Sequence, residues 1–274
     1  MRNNRGSGPR ARKSLGQHFL RDSGVLADIA EAAAPPPGGI VVEVGAGTGE
    51  LTAALVARYP NVIAIEIEDR LVRYLEKRFA LHSGLRIVEG DARDIDLGQV
   101  IPRGARFSIA GNLPYFAANP IIRHFLEGYP KPETMVVMVQ REVAKEIAAP
   151  AGDLSLLSIS VQVYAEAELL FTVPPEAFDP PPKVHSSVVK LTLRPQPLVA
   201  PEQLDDFFQL VSRTFRNPRK QIHNALGRGV WLPEGGARDA LEEAGIDPMR
   251  RPETLSIPEW LTLMEACDDV RARA

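Results

Sequence analysis

Three short segments carry residue types from which a chemical site can be built. Gly45-Ala46-Gly47-Thr48-Gly49 follows the apolar run Ile40-Val41-Val42-Glu43-Val44 and precedes a helical pattern over Glu50–Tyr59. Glycines there let the backbone turn sharply and approach a ligand, with the helix behind it. A dinucleotide fingerprint would need G-x-G-x-x-G, and position 50 is Glu. On its own the loop therefore admits a nucleoside-type donor, another nucleotide or a plain structural turn. Glu66 closes the run Val62-Ile63-Ala64-Ile65-Glu66, where a carboxylate can accept both hydroxyls of a ribose. Asp91 closes Arg86-Ile87-Val88-Glu89-Gly90-Asp91, placed to accept from an adenine amino group. Glu68, Asp69 and Glu89 compete for these roles and read better as surface charge. The third segment, Gly111-Asn112-Leu113-Pro114-Tyr115, offers a side-chain amide, a main-chain carbonyl, a stiffening proline and an aromatic face.

The loop with its preceding acid, Glu43, resembles the S-adenosylmethionine loop of class I methyltransferases. Asn112-Leu113-Pro114-Tyr115 resembles the N-P-P-Y type motif of enzymes that methylate an exocyclic amino group. The chemistry accounts for the residue types. The lone pair of adenine N6 is delocalised into the ring, which makes it a poor nucleophile. The side-chain oxygen of Asn112 and the carbonyl of Leu113 can bind both amino hydrogens and draw the nitrogen toward tetrahedral geometry. Pro114 stiffens the loop, and Tyr115 offers a face to an extruded base. Phe178, in Phe178-Asp179-Pro180-Pro181-Pro182-Lys183-Val184, is the candidate for a second stacking ring opposite Tyr115, held out of the core by the rigid prolines. The transfer is an in-line displacement in which alignment does most of the work, so no strong general base is required.

Elements must hold these groups at one edge. Ile40–Val44, Val62–Glu66, Leu85–Val88, Phe107–Ala110 and Thr134–Val139 are the candidate strands, and the first four start about 22 residues apart. Continuous apolar strands alternating with helices predict a parallel sheet covered on both faces, and right-handed crossovers make it doubly wound. Ser23–Ala34 reads as a helix stopped by Pro35-Pro36-Pro37-Gly38. Tyr164–Val173 and Ser187–Leu193 are later strands suited to an antiparallel edge, and Leu154–Gln162 reads as helix. Arg194-Pro195-Gln196-Pro197 is a boundary, and from Pro201 the pattern is helical. The expected division is a basic arm over 1–21, a catalytic domain over 22–195 and a helical domain over 196–274.

The 274 residues are 45% hydrophobic and 24% charged, which excludes wholesale disorder. No run approaches the ~18 apolar residues of a membrane span, and the first residues lack the apolar stretch of a secretory signal. With one cysteine, Cys267, neither an internal disulfide nor a multi-cysteine zinc site is expected. His82, His124, His185 and His223 share no ligand spacing, so no metal is expected. A cytoplasmic monomer is the expectation. Net charge is −3, but its distribution is uneven. Arg2, Arg5, Arg10, Arg12 and Lys13 precede the first acid, Asp22. The acid-free stretch Val211–Pro233 holds Arg213, Arg216, Arg219, Lys220 and Arg228. Such segments suit a phosphate-tracking surface, or equally a solvated tail and helix face. Trp231 and Trp260 are expected in the core of the helical domain.

Taken together, Leu15-Gly16-Gln17-His18-Phe19-Leu20, the Glu43–Gly49 loop, Glu66, Gly90-Asp91-Ala92, the Gly111–Tyr115 motif, Gln140-Arg141-Glu142-Val143-Ala144 and Phe178–Leu191 resemble the KsgA/RsmA family of small-subunit ribosomal RNA adenine dimethyltransferases. The resemblance implies a Rossmann-like seven-stranded, mostly parallel sheet with a small all-helical C-terminal domain. It implies N6,N6-dimethylation of two adjacent adenosines in the 3′-terminal hairpin of 16S rRNA, within a pre-ribosomal 30S particle, with S-adenosylmethionine as donor. It further implies an N-terminal arm that closes on the donor, with His18 and Leu20 near it. Gly45, Glu66, Asp91 and Asn112 match donor-contacting positions, so that Asn112 serves donor and base alike, and Gly47 is expected at the donor as part of the glycine loop.

The chain departs from the family pattern in three places. Phe116-Ala117-Ala118-Asn119 follows the tyrosine, where Ile-Ser or similar is usual. His18 stands where relatives often carry Asn, and Ala151-Gly152-Asp153 replaces a Tyr-Gly stretch. Two other readings are open: an Erm-like methyltransferase of large-subunit RNA, and an assembly factor in which docking matters more than turnover.

Overall fold

The computed structural model describes Pro9 and residues 17–274, so Arg12, Lys13 and most of the expected 1–21 arm lie outside the described residues. In chain order the elements are β1 (Phe19–Leu20), α1 (Ser23–Ala32), β2 (Ile40–Val44), α2 (Glu50–Val56), β3 (Val62–Glu66), α3 (Asp69–Arg78), β4 (Leu85–Glu89), α4 (Leu97–Val100), β5 (Phe107–Asn112), α5 (Ala118–Glu127), β6 (Thr134–Gln140), α6 (Arg141–Ile147), α7 (Leu156–Gln162), β7 (Ala165–Val173), β8 (Phe178–Asp179), β9 (Ser186–Leu193), α8 (Leu204–Thr214), α9 (Ile222–Gly229), α10 (Gly236–Glu243) and α11 (Ile257–Ala272).

Seven strands form one sheet in the order β4-β3-β2-β5-β6-β9-β7. β3 pairs parallel with both β4 and β2, β5 parallel with both β2 and β6, and β9 antiparallel with β6. Every residue of β3, and Phe107–Gly111 of β5, is buried, which requires cover on both faces and explains the unbroken apolar runs. Each fully buried Val, Leu or Ile there contributes about 1.5–3 kcal/mol. After β4 the chain crosses to the far side of β2, so the sheet reverses between β2 and β5. The carboxyl ends of β2, β3 and β5 meet at that reversal, with Val44 opposite both Ile65 and Gly111. Ligands of open α/β sheets bind outside the strand ends at this kind of switch point.

The first helix starts where a capping residue stands. Asp22 accepts from the main-chain N–H of Gly24 at 2.9 Å and Val25 at 3.0 Å, and the following prolines stop the helix. The late strands form the expected antiparallel edge, with β9 against β6 and β7 outermost. A further two-stranded ladder joins β1 to β8, with Phe19 opposite Asp179 and Leu20 opposite Phe178.

The chain forms two compact units, and their limits differ from the expected 22–195 and 196–274. Residues 145–165 pack with 194–274, leaving the segments up to 144 and 166–193 as the sheet unit. The reason lies in the bonds that segment makes. Leu154 N–H donates to the Glu253 carbonyl at 2.8 Å, Arg194 N–H to Tyr164 at 2.9 Å and Leu198 N–H to Val163 at 2.9 Å. The rings of Tyr164 and Phe208 stack at 6.4 Å. Within this second unit Trp260 is fully buried, as expected. Trp231 is not a core residue: it is 71% exposed. Val230 takes the buried position beside it, and Trp231 is held by its main-chain carbonyl, which accepts from Arg271 Nε at 3.3 Å.

Candidate active site

A cavity of about 330 Å³ opens at the switch point of the sheet unit. Its wall includes Gly45, Gly47, Thr48, Glu43 and Glu66 on one side and Asn112, Leu113, Pro114 and Tyr115 on the other, with His18 and Leu20 of the arm across the mouth. Gly45, Gly47 and Gly49 have φ of 74°, 57° and 81°, the left-handed region that L side chains avoid. Space is as tight as the dihedrals. A methyl on Gly49 would stand 2.7 Å from Leu75 and Phe79, and one on Gly47 would stand 3.1 Å from the Phe19 ring. The glycine loop is thus pinned between the sheet unit's core and the arm.

Glu66 and Glu43 form the acidic floor. Glu66 Oε2 accepts from Gly47 N–H at 2.8 Å and Oε1 from Glu68 N–H at 2.9 Å, so main-chain donors fix the plane of the carboxylate. Burial raises its pKa, with those N–H bonds opposing. With Ile67 N–H as a third main-chain donor, the carboxylate still keeps acceptor capacity for a ligand hydroxyl. Glu43 sits in the middle of the sheet, opposite Ala64 and Ala110. Burial pushes its pKa up to about 8, against a bond from Thr52 Oγ1 at 2.5 Å and with added repulsion from Glu66. Sequence reasoning gave Glu43 no role beyond preceding the loop, because nothing in the one-dimensional pattern shows Thr52 beneath it. Thr48 Oγ1 is buried in the loop and has no partner among the described residues.

Asp91 stands apart from this floor. It is absent from the cavity wall, where Arg93 appears instead, and the two form an ion pair. Arg93 Nε lies 2.9 Å from both carboxylate oxygens, and that contact holds the Asp91 pKa below its ordinary value. The arrangement fits a hydroxylated, cationic nucleoside. It combines two buried carboxyl groups, glycine main chain that admits close approach, and an unpartnered hydroxyl.

The second wall is built around Asn112, the last residue of β5. Its Nδ2 donates to the main-chain carbonyl of His18 at 3.0 Å. Leu113 is buried, and its N–H is tied to the Met138 carbonyl at 3.1 Å. Ala117 N–H returns to the Pro114 carbonyl at 2.9 Å, closing a turn around Tyr115. The Tyr115 hydroxyl bonds Ser186 Oγ at 2.8 Å, and burial raises its pKa. Phe116, the first of the departures from the family pattern, is exposed at the rim.

The expectation for Phe178 is corrected. Its ring is 4% exposed and packs in the core with Leu20, Leu26, Ala177 and Val188. The pairing of β8 with β1, which sets Phe178 opposite Leu20, fixes it there. The ring that faces Tyr115 is His18, with centroids 6.0 Å apart and planes at 26°. His18 Nδ1 lies 2.8 Å from the Pro180 carbonyl, so the proline-rich loop serves the site through its main chain.

Arg213, Arg216, Arg219 and Lys220 lie in the second unit, at the end of α8 and in the turn after it, and are exposed. Ala151-Gly152-Asp153 belongs to the second unit too. Among the described residues, no group of three or more His, Cys, Asp or Glu could hold a metal ion, and no helix is long and apolar enough to cross a membrane.

Comparison with known proteins decides the family. The profile of ribosomal RNA adenine dimethylase matches residues 8–269. The chain belongs to the ribosomal RNA adenine dimethylase family. It is 41% identical over 254 residues to ribosomal RNA small subunit methyltransferase A of Dehalococcoides mccartyi, covering 93% of this chain and 87% of the relative. It is 41% identical over 263 residues to the protein of that name from Desulfitobacterium hafniense, covering 94% and 93%. Among solved structures, the 23S rRNA methyltransferase ErmE is similar at 30% identity and a TM-score of 0.72, covering 91% of this chain and 99% of that one. A dimethyladenosine transferase from Plasmodium falciparum is similar at 27% identity and a TM-score of 0.77, covering 93% and 98%. The sheet is therefore that of a Rossmann-like class I methyltransferase, and this dimethylase is an enzyme that uses S-adenosylmethionine.

Proposed function

We propose that this dimethylase converts two adjacent adenosines in the 3′-terminal hairpin of small-subunit (16S) ribosomal RNA to N6,N6-dimethyladenosine. It acts as a cytoplasmic monomer on a pre-ribosomal 30S particle. The observation that carries this reading is the union, in one cavity, of an acidic glycine-loop floor with an Asn112–Tyr115 wall shaped for an amino-bearing base. The two relatives at 41% identity that are named small subunit methyltransferase A support the choice of RNA.

When bound, S-adenosylmethionine supplies an electrophilic methyl group on a sulfonium. Glu66 takes the ribose hydroxyls on the lone pairs its main-chain donors leave over. Gly45 and Gly47 admit the donor to the main chain, and His18 and Leu20 close on it from the arm. Asp91, tied to Arg93 outside the cavity wall, would reach the adenine amino group on release of that ion pair. Asn112 Oδ1 and the Leu113 carbonyl accept the two hydrogens of the target N6, and Pro114 keeps that pair in place. The Tyr115 ring carries the face of the base. The donor would give its methyl to N6 and leave as the neutral thioether, and the nitrogen would lose its proton to solvent, so Asn112, Leu113 and Tyr115 have only to hold the amine in line. The second methylation repeats the step on the monomethylated amine. Arg213, Arg216, Arg219 and Lys220, with Arg12 and Lys13 of the arm, bind RNA phosphates.

Incubation with labelled S-adenosylmethionine and under-methylated small subunits, followed by nucleoside mapping, tests the reading. N6,N6-dimethyladenosine at two neighbouring positions is expected. Monomethyladenosine alone at saturation, or label only in free large-subunit RNA, would reject it; the latter is the outcome that the likeness to ErmE would favour. In the same assay, replacing Arg216, Arg219 and Lys220 by Ala should leave donor affinity intact. The slope of log affinity against log salt for RNA should flatten by about 2.

A further inference from the structure

We propose that Trp231, in the second unit, is a stacking platform for an unpaired base of the ribosomal RNA; this deepens the reading above and rests on it. Three observations carry the inference. The indole is 71% exposed, whereas Trp260, the other tryptophan of the chain, is fully buried. That exposure is set by the main chain. Val230 is extended, with φ −116° and ψ 135°, so its side chain and the next one point to opposite sides. Val230 turns inward and lines a small cavity between α8 and α11, which sends the indole outward.

The second observation is that the platform is rigid. Val230 N–H donates to the Leu226 carbonyl at 2.8 Å. The Trp231 carbonyl accepts from Arg271 Nε at 3.3 Å, and Arg271 is itself tied to Asp268 at 2.7 Å. With the main chain clamped, only the two side-chain torsions of the indole remain to be ordered on binding. The third observation is charge. Arg228, three residues before the tryptophan, is exposed. Packing brings up Arg213: a Cβ on Gly229 would stand 2.4 Å from the Arg213 carbonyl, and Gly229 is two residues, at most about 7 Å, from Trp231. Among the described residues neither arginine has an ion-pair partner, and the same holds for Arg216, Arg219 and Lys220 in the turn between α8 and α9. Arginines elsewhere, such as Arg73, Arg106 and Arg273, are paired with acids. Asp206 and Asp268 line the inward cavity with Val230. Unanswered cations beside an exposed, fixed indole supply what single-stranded RNA needs, charge for its phosphates and a flat face for a base. A paired base keeps its faces against its neighbours, so the ligand is a base in a loop, bulge or end.

The experiment compares the full-length wild type with Trp231→Ala, Trp231→Phe and Trp231→Lys. Kd for under-methylated small subunits and for protein-free 16S rRNA is measured without donor from about 50 to 200 mM salt, and tryptophan emission is followed as the free RNA is added. Trp231→Ala should weaken both affinities at least about fivefold at every salt concentration. The slope of log affinity against log salt should not change, because stacking releases no counterions, and donor Kd should stay at its wild-type value. Trp231→Phe should recover most of the loss and Trp231→Lys none of it. Free RNA should quench the wild-type emission, and Trp231→Phe should abolish that quenching, since Trp260 is buried. Recovery by Lys, a flatter salt slope in the Ala variant, Phe no better than Ala, or wild-type emission unmoved by RNA overturns the proposal. A loss on small subunits with none on free RNA overturns it as well and assigns the indole to a ribosomal protein. An Ala variant that binds like an active wild type overturns it and leaves the reading of function standing. A wild type that neither binds 16S rRNA nor methylates adenosine brings down both.

Discussion

The two walls of the cavity are built on different principles. On the donor side, Gly47 N–H, Glu66 and Glu68 N–H are bonded within a short stretch of chain, and Glu43 is set in the middle of a three-strand register. On the base side, Asn112 is held by His18, Tyr115 by Ser186, and His18 by Pro180, partners 94, 71 and 162 residues away. The first wall is fixed by the sheet itself. The second is assembled from the arm and the 178–186 segment, and stays in register only while both are docked. Donor binding and base alignment should therefore fail separately.

The sharpest way to break that distinction is Asn112→Ala. It removes the one side-chain acceptor for N6, and a lost transition-state contact of this kind costs about 10²–10³ in kcat. Donor Kd should rise less than about tenfold. A loss mainly in donor affinity would show that Asn112 belongs to the other wall. Glu66→Ala tests the donor side from the opposite direction. It removes the acceptor for ribose and the partner of Gly47 N–H, so donor Kd measured by titration calorimetry should weaken about 10–100-fold. RNA affinity measured without donor should stay within about twofold. If RNA binding fell as far as donor binding, the two walls would be one cooperative unit.

This asymmetry explains what could be read from sequence. β2 and β3 were legible to the residue because burial on both faces leaves an unbroken apolar run, as in Val62–Glu66, while β5 runs two residues past the expected Ala110, to Asn112. The glycine loop and Glu66 were legible because their geometry is local, and a positive φ at three glycines leaves its mark in composition. The pairing of β1 with β8 left no mark, since two residues have no period. For the same reason Phe178 read as a free ring at the head of a proline loop, although Leu20 across the ladder holds it in the core. Trp231 misled in the opposite direction: size argued for burial, and Val230 had already taken the inward position. Residues 145–165 fell inside the expected 22–195 domain because the boundary was read at Arg194–Pro197, while their main-chain bonds run to 194–253. What sequence conceals here is chiefly which distant carbonyl a short segment will meet.

The smallest expected effect is also the one that isolates the donor floor from all catalysis. Among the described residues Glu43 has no ion-pair partner, and burial lifts its pKa to about 8 from an ordinary 4.5. The folded state then keeps a proton that the unfolded chain releases above pH 4.5. The stability this contributes is complete below that point and declines as pH rises, until the folded carboxyl ionises near 8. Glu43→Gln keeps an acceptor for Thr52 Oγ1 and cannot ionise. Between pH 6 and 9 the wild type should lose on the order of 2 kcal/mol more stability than the variant, about 1.4 kcal/mol for each pH unit crossed below the folded pKa. Scanning calorimetry of the donor-free protein should show the variant's margin in melting temperature over the wild type widening by about 5 °C between pH 6 and pH 9. Parallel curves across that range would mean that water reaches Glu43, and that the floor is less firmly shut than the base slot it was contrasted with.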